Sequence, residues 1–342
     1  KSIRNGLLRL ACIGVKTPLD FQKRFMLPVM HYLIRKCTTK CTFGGHPLPD
    51  KEGRFTYISN HRDIVLDSAI LDVKLFESKY PTTVEIAIGD NLLIYPWIKK
   101  LVRLNKAFTV RRGLSPRELL QSSMLMSRYM HFAVNEKQEN IWIAQREGRA
   151  KDGNDRTQGS VLKMLTMSEE GSLPTAENFI DHVRKLNICP VSISYEYDPC
   201  DFLKAQELQC KRDDAKWRKS KRDDLISMST GIMGQKGDVI YRLTPSINHW
   251  LDANEQILRS LPLSEQIECV CHQVDQQIHL AYEIYERGEA FERYLDEQIE
   301  KVNIPNKDEA FLRTTLHEMY QYIVTNHQAA VEYEKSHLCG KL

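Results

Sequence analysis

The stretch that decides the fold is YISNHRDIVLDSAI, residues 57–70. An apolar run of strand character ends at His61, and an apolar helix that carries acidic residues follows at once. The pattern places His61 at the exit of a strand, with Asp63 and Asp67 within one helical turn of it. A histidine held by a neighbouring carboxylate can take a proton from a hydroxyl or an amine. The stretch therefore predicts a general base at the end of a buried strand.

Strand-like and helix-like segments alternate on either side of this stretch. The predicted strands are RFTYISN, TTVEIAIG, KAFTVRR, NIWIAQ, NICPVSISYEY and GDVIYRLTPSI. NLLIYPWIKKLVRL is predicted as a helix kinked at Pro96, and a further helix starts at Ser115 with Pro116 and Glu118 in its first turn. Strands separated by helices predict an α/β fold with a largely parallel central sheet flanked by helices.

Three segments are predicted along the chain. Residues 1–42 form an amino-terminal helical segment whose stretch 20–36 is either a helix in a membrane interface, or an ordinary docked helix broken near Pro28. Residues 43–255 form the α/β domain and begin with a loop over 43–52. Residues 256–342 form a helical carboxy-terminal appendage.

Composition and charge narrow the class of protein and its partners. No run of eighteen apolar residues occurs, and nine scattered cysteines are typical of reduced thiols, so the chain is predicted to be cytoplasmic. Residues 1–120 hold 21 Lys and Arg against 10 Asp and Glu. This basic half predicts an anionic partner and, with the helix at 20–36, peripheral contact with the inner membrane face. Its aromatic residues occupy core positions, which argues against nucleic acid, and the Cys and His spacings predict no metal site.

Three later segments carry chemistry that fits a base at His61. KAFTVRRG (106–113) is a strand that ends in an arginine pair suited to phosphate. IAQREGRAKDGNDRTQ (143–158) is a strand that runs into a loop with glycine and basic residues. NICPVSIS (187–194) is an apolar strand in which Pro190 is expected to mark an edge or a bend.

In this order the four segments resemble the glycerolipid acyltransferase family, which includes the lysophosphatidic acid acyltransferases. Asn60-His61 resembles its Asn-His-x4-Asp motif, Phe108-x-x-Arg111 its second motif, residues 144–149 its Phe-Pro-Glu-Gly-Thr-Arg loop and residues 188–193 its fourth. Two departures indicate a divergent branch. Five residues rather than four separate His61 from Asp67, and Arg146 stands where proline is usual.

The resemblance implies roles for individual residues. His61 is the general base and Asp67 its partner, reaching back from the first turn if Asp63 caps the helix; Asp63 as the partner is the alternative. The acceptor's glycerol or phosphate group is expected at Arg111, Glu147, Gly148 and Arg149. Arg112 and Lys151 are further candidates, with solvated surface charges as the alternative reading.

The predicted reaction moves a fatty acyl group from an acyl thioester to a hydroxyl of a glycerol phosphate or lysophospholipid. The donor substrate is acyl-CoA or an acyl carrier protein, and no permanently bound cofactor is expected. The alternatives are an N-acyltransferase that makes an amino-acid lipid, a thioesterase that uses water, and a non-enzymatic module that binds membranes or anions.

Overall fold

A computed structural model describes residues 13–45, 48–93, 96–111, 113–167 and 172–338 of the chain. The strands are β1 (Lys40–Gly44), β2 (Thr56–Ser59), β3 (Val84–Gly89), β4 (Ala107–Val110), β5 (Asn140–Ala144), β6 (Ile188–Tyr195) and β7 (Asp238–Leu243). They form one sheet in the order β1-β7-β6-β2-β5-β3-β4. The five strands from β6 to β4 run parallel, while β7 is antiparallel to β6 and parallel to β1. The predicted α/β class with a largely parallel sheet is confirmed.

Helices cover both faces of this sheet. They are α1 (Pro18–Phe21, a π-helical turn Gln22–Met26, and Leu27–Cys37), α2 (Leu66–Glu77), α3 (Pro96–Leu104), α4 (Pro116–Asn135), α5 (Gly159–Leu165), α6 (Phe179–Leu186), α7 (Asp201–Asp213), α8 (Lys221–Met233), α9 (Asn248–Ser260), α10 (Leu263–Leu280), α11 (Glu289–Lys301) and α12 (Glu309–Leu338). One face packs against α4, α5, α6, α9 and α10, and the other against α1 and α2. Because both faces are covered, β2 and β6 are buried at every position.

Pro190 lies in an interior strand rather than at the predicted edge. β6 is bordered by β2 and β7, and Pro190 is in register with Ile58 of β2. Pairing with β7 begins only at Val191, and the Pro190 carbonyl accepts hydrogen bonds from Thr244 just beyond β7. A proline has no N–H to donate, and it is tolerated here because the ladder with β7 has not yet started.

The amino-terminal helix α1 is docked on the sheet layer. Met30 and Cys37 are buried, and α1 contacts α2 and α8. The predicted break at Pro28 is wrong, because the helix continues through that residue. A π-helical turn ends just before Pro28, and Pro28 lies in the first turn of the regular stretch that follows. Val29 and Tyr32 on the outer side are exposed. The membrane-interface function of this helix remains a prediction.

Two element boundaries differ from those predicted. Residues 43 and 44 belong to β1, because this short strand gains its hydrogen bonds from β7, almost 200 residues away. The helix predicted as kinked at Pro96 begins at that proline instead, after a short 3₁₀ turn at Asp90–Leu92. Proline favours the first helical position because its missing N–H is not needed there.

The chain beyond residue 260 is mainly helical, as predicted. α10 supplies Ile267, Val270 and Val274 to the main core, while α11 and α12 form a second cluster with α7. Contacts therefore cross both predicted segment limits, at 42/43 through β1 and at 255/256 through α10. The three-segment division remains a prediction.

Candidate active site

The turn after β2 is fixed by an asparagine that bridges two strands. The side chain of Asn60 is fully buried, donates a hydrogen bond to the carbonyl of Ile193 (2.9 Å) and accepts one from its N–H (2.8 Å). These two bonds tie the end of β2 to the end of β6. The next residue, His61, leaves the sheet at its carboxyl edge, where ligands of parallel α/β sheets bind.

Asp67 holds the imidazole of His61. The Nδ1 atom of His61 lies 2.8 Å from Oδ2 of Asp67, whose side chain is almost completely buried. The same carboxylate accepts hydrogen bonds from the backbone N–H of Arg62 (2.8 Å) and Asp63 (3.0 Å) and from the hydroxyl of Tyr195 (3.5 Å). A carboxylate so held accepts a hydrogen bond from the Nδ1–H group, so Nε2 of the neutral ring is the nitrogen available to a ligand.

Asp63 has a different environment. Its Oδ1 accepts hydrogen bonds from the N–H groups of Val65 and Leu66, both at 2.8 Å, just as α2 begins. It therefore satisfies the donors of the helix start, although the residue before the helix is Val65 rather than Asp63. Burial, with a smaller contribution from the neighbouring Asp67, raises the pKa of Asp63. No hydrogen bond joins Asp63 to His61.

Trp142 of β5 packs beside the imidazole. Its ring centroid lies 6.0 Å from that of His61 at an interplanar angle of 65°, an edge-on arrangement. The indole N–H donates to the hydroxyl of Ser59 (3.0 Å), which in turn donates to the carbonyl of Asn60. The imidazole is thus held by a hydrogen bond to Asp67 and by an aromatic contact with Trp142.

His61 opens into a large cavity of about 690 Å³. This volume lies within the range typical of sites that bind small molecules. Most of its lining is apolar and comes from α1, α2, β3, α3, β4, α4 and β5, with Leu33, Ile86, Val102, Val110 and Ile143 as examples. The lining also includes polar side chains, among them His61, Arg111 and Glu147, so the cavity suits a molecule with a long apolar part and a polar part.

Some of the predicted binding residues line the cavity and others do not. Arg111, Glu147 and Gly148 line the cavity. Gly148 has a φ of +69°, a conformation that favours glycine, and the N–H of Glu147 donates to the side chain of Gln158 (2.9 Å), which closes the loop.

Arg149 and Lys151 do not line this cavity. Arg149 is buried and donates to the hydroxyl of Ser227 (2.9 Å), and Lys151 pairs with Glu207 (2.5 Å). The structure therefore does not bring either one to the cavity in which the acceptor was expected. Arg112 lies outside the described residues.

A buried ion pair beside the histidine was not foreseen from the sequence. Arg62 Nη2 lies 3.3 Å from Oδ2 of Asp155, and both side chains are buried. Burial raises the pKa of Asp155, and the charge of Arg62 opposes that effect most strongly. Arg62 stands between His61 and Asp63 in the motif, which was a usable signal, whereas nothing in the sequence distinguishes Asp155 from its neighbours.

The loop from Gln145 to Gln158 is also held by α10. The backbone N–H of Thr157 donates to Asp275 (2.7 Å), and His279 Nε2 lies 2.9 Å from the carbonyl of Asp155. Burial lowers the pKa of His279 to about 4, so this ring is neutral and donates to that carbonyl. Side chains of the carboxy-terminal part thus shape a loop that lines the cavity.

The described residues contain neither a cluster of metal ligands nor a membrane-spanning helix. No three His, Cys, Asp or Glu side chains of those residues converge as metal ligands would. None of the helices that the structure describes is long and apolar enough to cross a membrane.

Comparisons with known proteins identify the class. Residues 40–194, a little under half of the chain, match the family model described as Acyltransferase. This stretch contains β1 to β5, all but the last residue of β6, the His61–Asp67 pair and the loop with Glu147 and Gly148. The sequence-based resemblance to acyltransferases is confirmed for this stretch, which is an acyltransferase domain.

A solved structure resembles the chain, and no curated protein matches it. The crystal structure of the 1-acyl-sn-glycerophosphate (LPA) acyltransferase PlsC from Thermotoga maritima is similar over 80% of this chain and 88% of that chain, at 11% identity and a TM-score of 0.38. A similarity at that TM-score carries no argument about function. None of the curated proteins compared with the chain matches it.

Proposed function

We propose that this acyltransferase moves a fatty acyl group from an acyl thioester to a hydroxyl of a glycerol phosphate or lysophospholipid. The observation that carries the proposal is the bond between His61 and Asp67 at the wall of a 690 Å³ apolar cavity. A general base directed by a carboxylate, beside a space that fits an acyl chain, is the equipment that direct acyl transfer needs.

The reaction proceeds by attack of the acceptor itself. Nε2 of His61 takes the proton of the acceptor hydroxyl as its oxygen bonds to the thioester carbonyl carbon. The tetrahedral intermediate collapses, the carbon–sulfur bond breaks, and the imidazolium returns the proton to the leaving thiolate. Asp67 keeps the proton of Nδ1 in place and stabilises the imidazolium. The products are an ester and a free thiol, of coenzyme A or of an acyl carrier protein.

Different residues around the base bind the acyl donor and the acceptor. The apolar walls take the acyl chain, because burying each CH₂ group contributes about 0.8 kcal/mol. Arg111, at the end of β4, is an exposed cation at the cavity and attracts the acceptor's anionic group, and Glu147 and Gly148 contact the acceptor from the loop after β5. Arg149 instead ties that loop to α8 through its hydrogen bond to Ser227.

Peripheral association with the inner membrane face belongs to the same proposal. Leu101 and Leu119 line the cavity and are also 37% and 51% exposed, so the apolar lining continues onto the surface. A lipid acceptor could enter there without crossing water. Cosedimentation with anionic vesicles tests this part: a protein that stays in the supernatant at low salt would contradict it.

Replacement of His61 by alanine tests the mechanism. The His61→Ala variant should lose about 10²–10⁴ in kcat, measured as thiol release that depends on the acceptor. His249→Ala is the matched control, because that histidine is exposed on α9. Activity of His61→Ala within a few-fold of the parent would remove the mechanism. Mass spectrometry of the product, with and without acceptor, distinguishes an ester, an amide and a free fatty acid.

A further inference from the structure

Arg146 and His61 occupy equivalent positions on neighbouring strands. Ser59 of β2 is in register with Ala144 of β5, and the N–H of Gln145 donates to the carbonyl of Ser59 (2.9 Å). His61 and Arg146 therefore each lie two residues beyond the same register pair. Adjacent strands are about 4.8 Å apart. Both side chains line the same cavity, so Arg146 is a cation next to the proposed base.

Arg111 is attached farther from that base. Its strand, β4, is separated from β2 by β5 and β3, which is three strand spacings or about 14 Å. Arg111 is exposed at the cavity, whereas Arg146 is partly buried. Of these two arginines, Arg146 is the one placed to meet an anionic group close to the reacting atom.

The guanidinium of Arg146 has no protein partner among the described residues. Its Nε atom is buried without a hydrogen bond, and no ion pair engages the side chain. The neighbouring arginines both have partners, Arg62 in Asp155 and Arg149 in Ser227. An unpaired charged group costs free energy when it is withdrawn from water, unless a ligand supplies the missing partner.

The negative charge of Asp155 lies near Arg146, but Asp155 does not form an ion pair with it. Arg146 is among the cations that lower the pKa of Asp155 against the effect of burial, behind Arg62 and Lys204. Yet Asp155 pairs with Arg62 rather than with Arg146. The N–H groups of Arg146 consequently remain free for a ligand, while a buried negative charge nearby limits the cost of keeping the arginine charged.

We propose that Arg146 binds an acidic group of the acyl acceptor, a phosphate or a carboxylate that lies a few bonds from the attacking oxygen or nitrogen. The inference rests on the proposed function and assigns its substrate class: the acceptor is anionic next to its reacting group. A planar guanidinium suits this ligand, because it donates two parallel hydrogen bonds to either oxyanion.

The test uses three matched acceptors and three variants. The acceptors are a short-chain lysophosphatidic acid, an analogue with a carboxylate in place of the phosphate, and the neutral monoacylglycerol of the same chain length. Arg146→Ala and Arg146→Lys are compared with Arg293→Ala, which removes an exposed arginine from α11. Equilibrium binding is measured without donor, and KM and kcat with a thioester donor.

Arg146→Ala should weaken binding of an anionic acceptor, and raise its KM, by about 10- to 100-fold, while the neutral acceptor changes less than three-fold. Arg146→Lys should recover part of the loss. Arg293→Ala should bind all three acceptors as the parent does. The anion that shows the larger effect identifies phosphate or carboxylate as the ligand. Equal losses for anionic and neutral acceptors, or no loss, would overturn the inference. Selective loss of binding by a protein that transfers no acyl group would instead refute the proposed function and leave the anion site standing.

Discussion

Asp67→Asn is the substitution whose outcome is most closely determined by the geometry. The carboxylate accepts four hydrogen bonds, from Nδ1 of His61, the N–H groups of Arg62 and Asp63, and the hydroxyl of Tyr195. An asparagine has one accepting oxygen and one donating NH₂ group. It keeps the shape of the side chain, so the change isolates hydrogen bonding and charge.

Both orientations of the new amide are unfavourable. If its oxygen faces His61 and the Arg62 N–H, its NH₂ group meets the N–H of Asp63, and a buried donor left unpaired costs about 1–3 kcal/mol. If it is reversed, the NH₂ group donates to Nδ1 and forces the proton onto Nε2, the atom that should act as the base. The analogous substitution in a serine protease triad lowers kcat about 10⁴-fold. We expect a loss of about 10³–10⁴ in kcat here.

The assay is thiol release from an acyl thioester at saturating acceptor, followed spectrophotometrically, together with the midpoint of chemical unfolding. Asp63→Asn is the control, because the oxygen of the new amide can still accept hydrogen bonds from the N–H groups of Val65 and Leu66. It should keep kcat within a few-fold. An Asp67→Asn enzyme within ten-fold of the parent, or an equal loss in Asp63→Asn, would refute the assignment of Asp67 as the partner.

Two further predictions concern stability. Burial raises the pKa of Asp72 from its ordinary value of 3.8 to about 7, so the folded protein binds this proton more tightly than the unfolded chain does. The free energy of unfolding should therefore fall as pH rises from about 4 to 7. Asp201 and Asp275 contribute slopes of the same sign, so Asp72→Asn should reduce the slope in urea titrations across this range, and an unchanged slope would contradict the role of Asp72. A Cβ at Gly231 would lie 2.0 Å from Oδ2 of Asp63, so Gly231→Ala should cost about 1–3 kcal/mol in thermal unfolding. Gly44→Ala, where a Cβ meets nothing within 4 Å, is the control, and equal melting temperatures for the two variants would argue against the close contact.

The local part of the site was predictable from the sequence. Apolar patterning placed His61 at the end of β2, and helical geometry brought Asp67 back towards it. The capping box of Ser115 and Glu118 is present as predicted, because its hydrogen bonds join residues three apart. Such features depend on short stretches of chain, in which residue type and spacing already determine which groups meet.

Long-range features were the ones missed. β1 is too short to be recognised by its own pattern and is a strand only because β7 pairs with it. Asp155 became important through burial beside Arg62, and α10 through its place in the main core. Arg146 was noticed as a departure from the family motif, but its relation to His61 follows from the register of β2 and β5, which no local pattern records.

The bonds from α10 to the loop after β5 bear on how short a working enzyme can be. Thr157 is anchored by Asp275, and the Asp155 carbonyl by His279, each more than 110 positions further along the chain. A Cβ at Gly153 would also collide with the carbonyl of Met319 on α12. Ending the chain near residue 255 would retain every residue proposed to touch substrate, yet it would remove the contacts from α10 and α12 that give the acceptor-binding loop its shape.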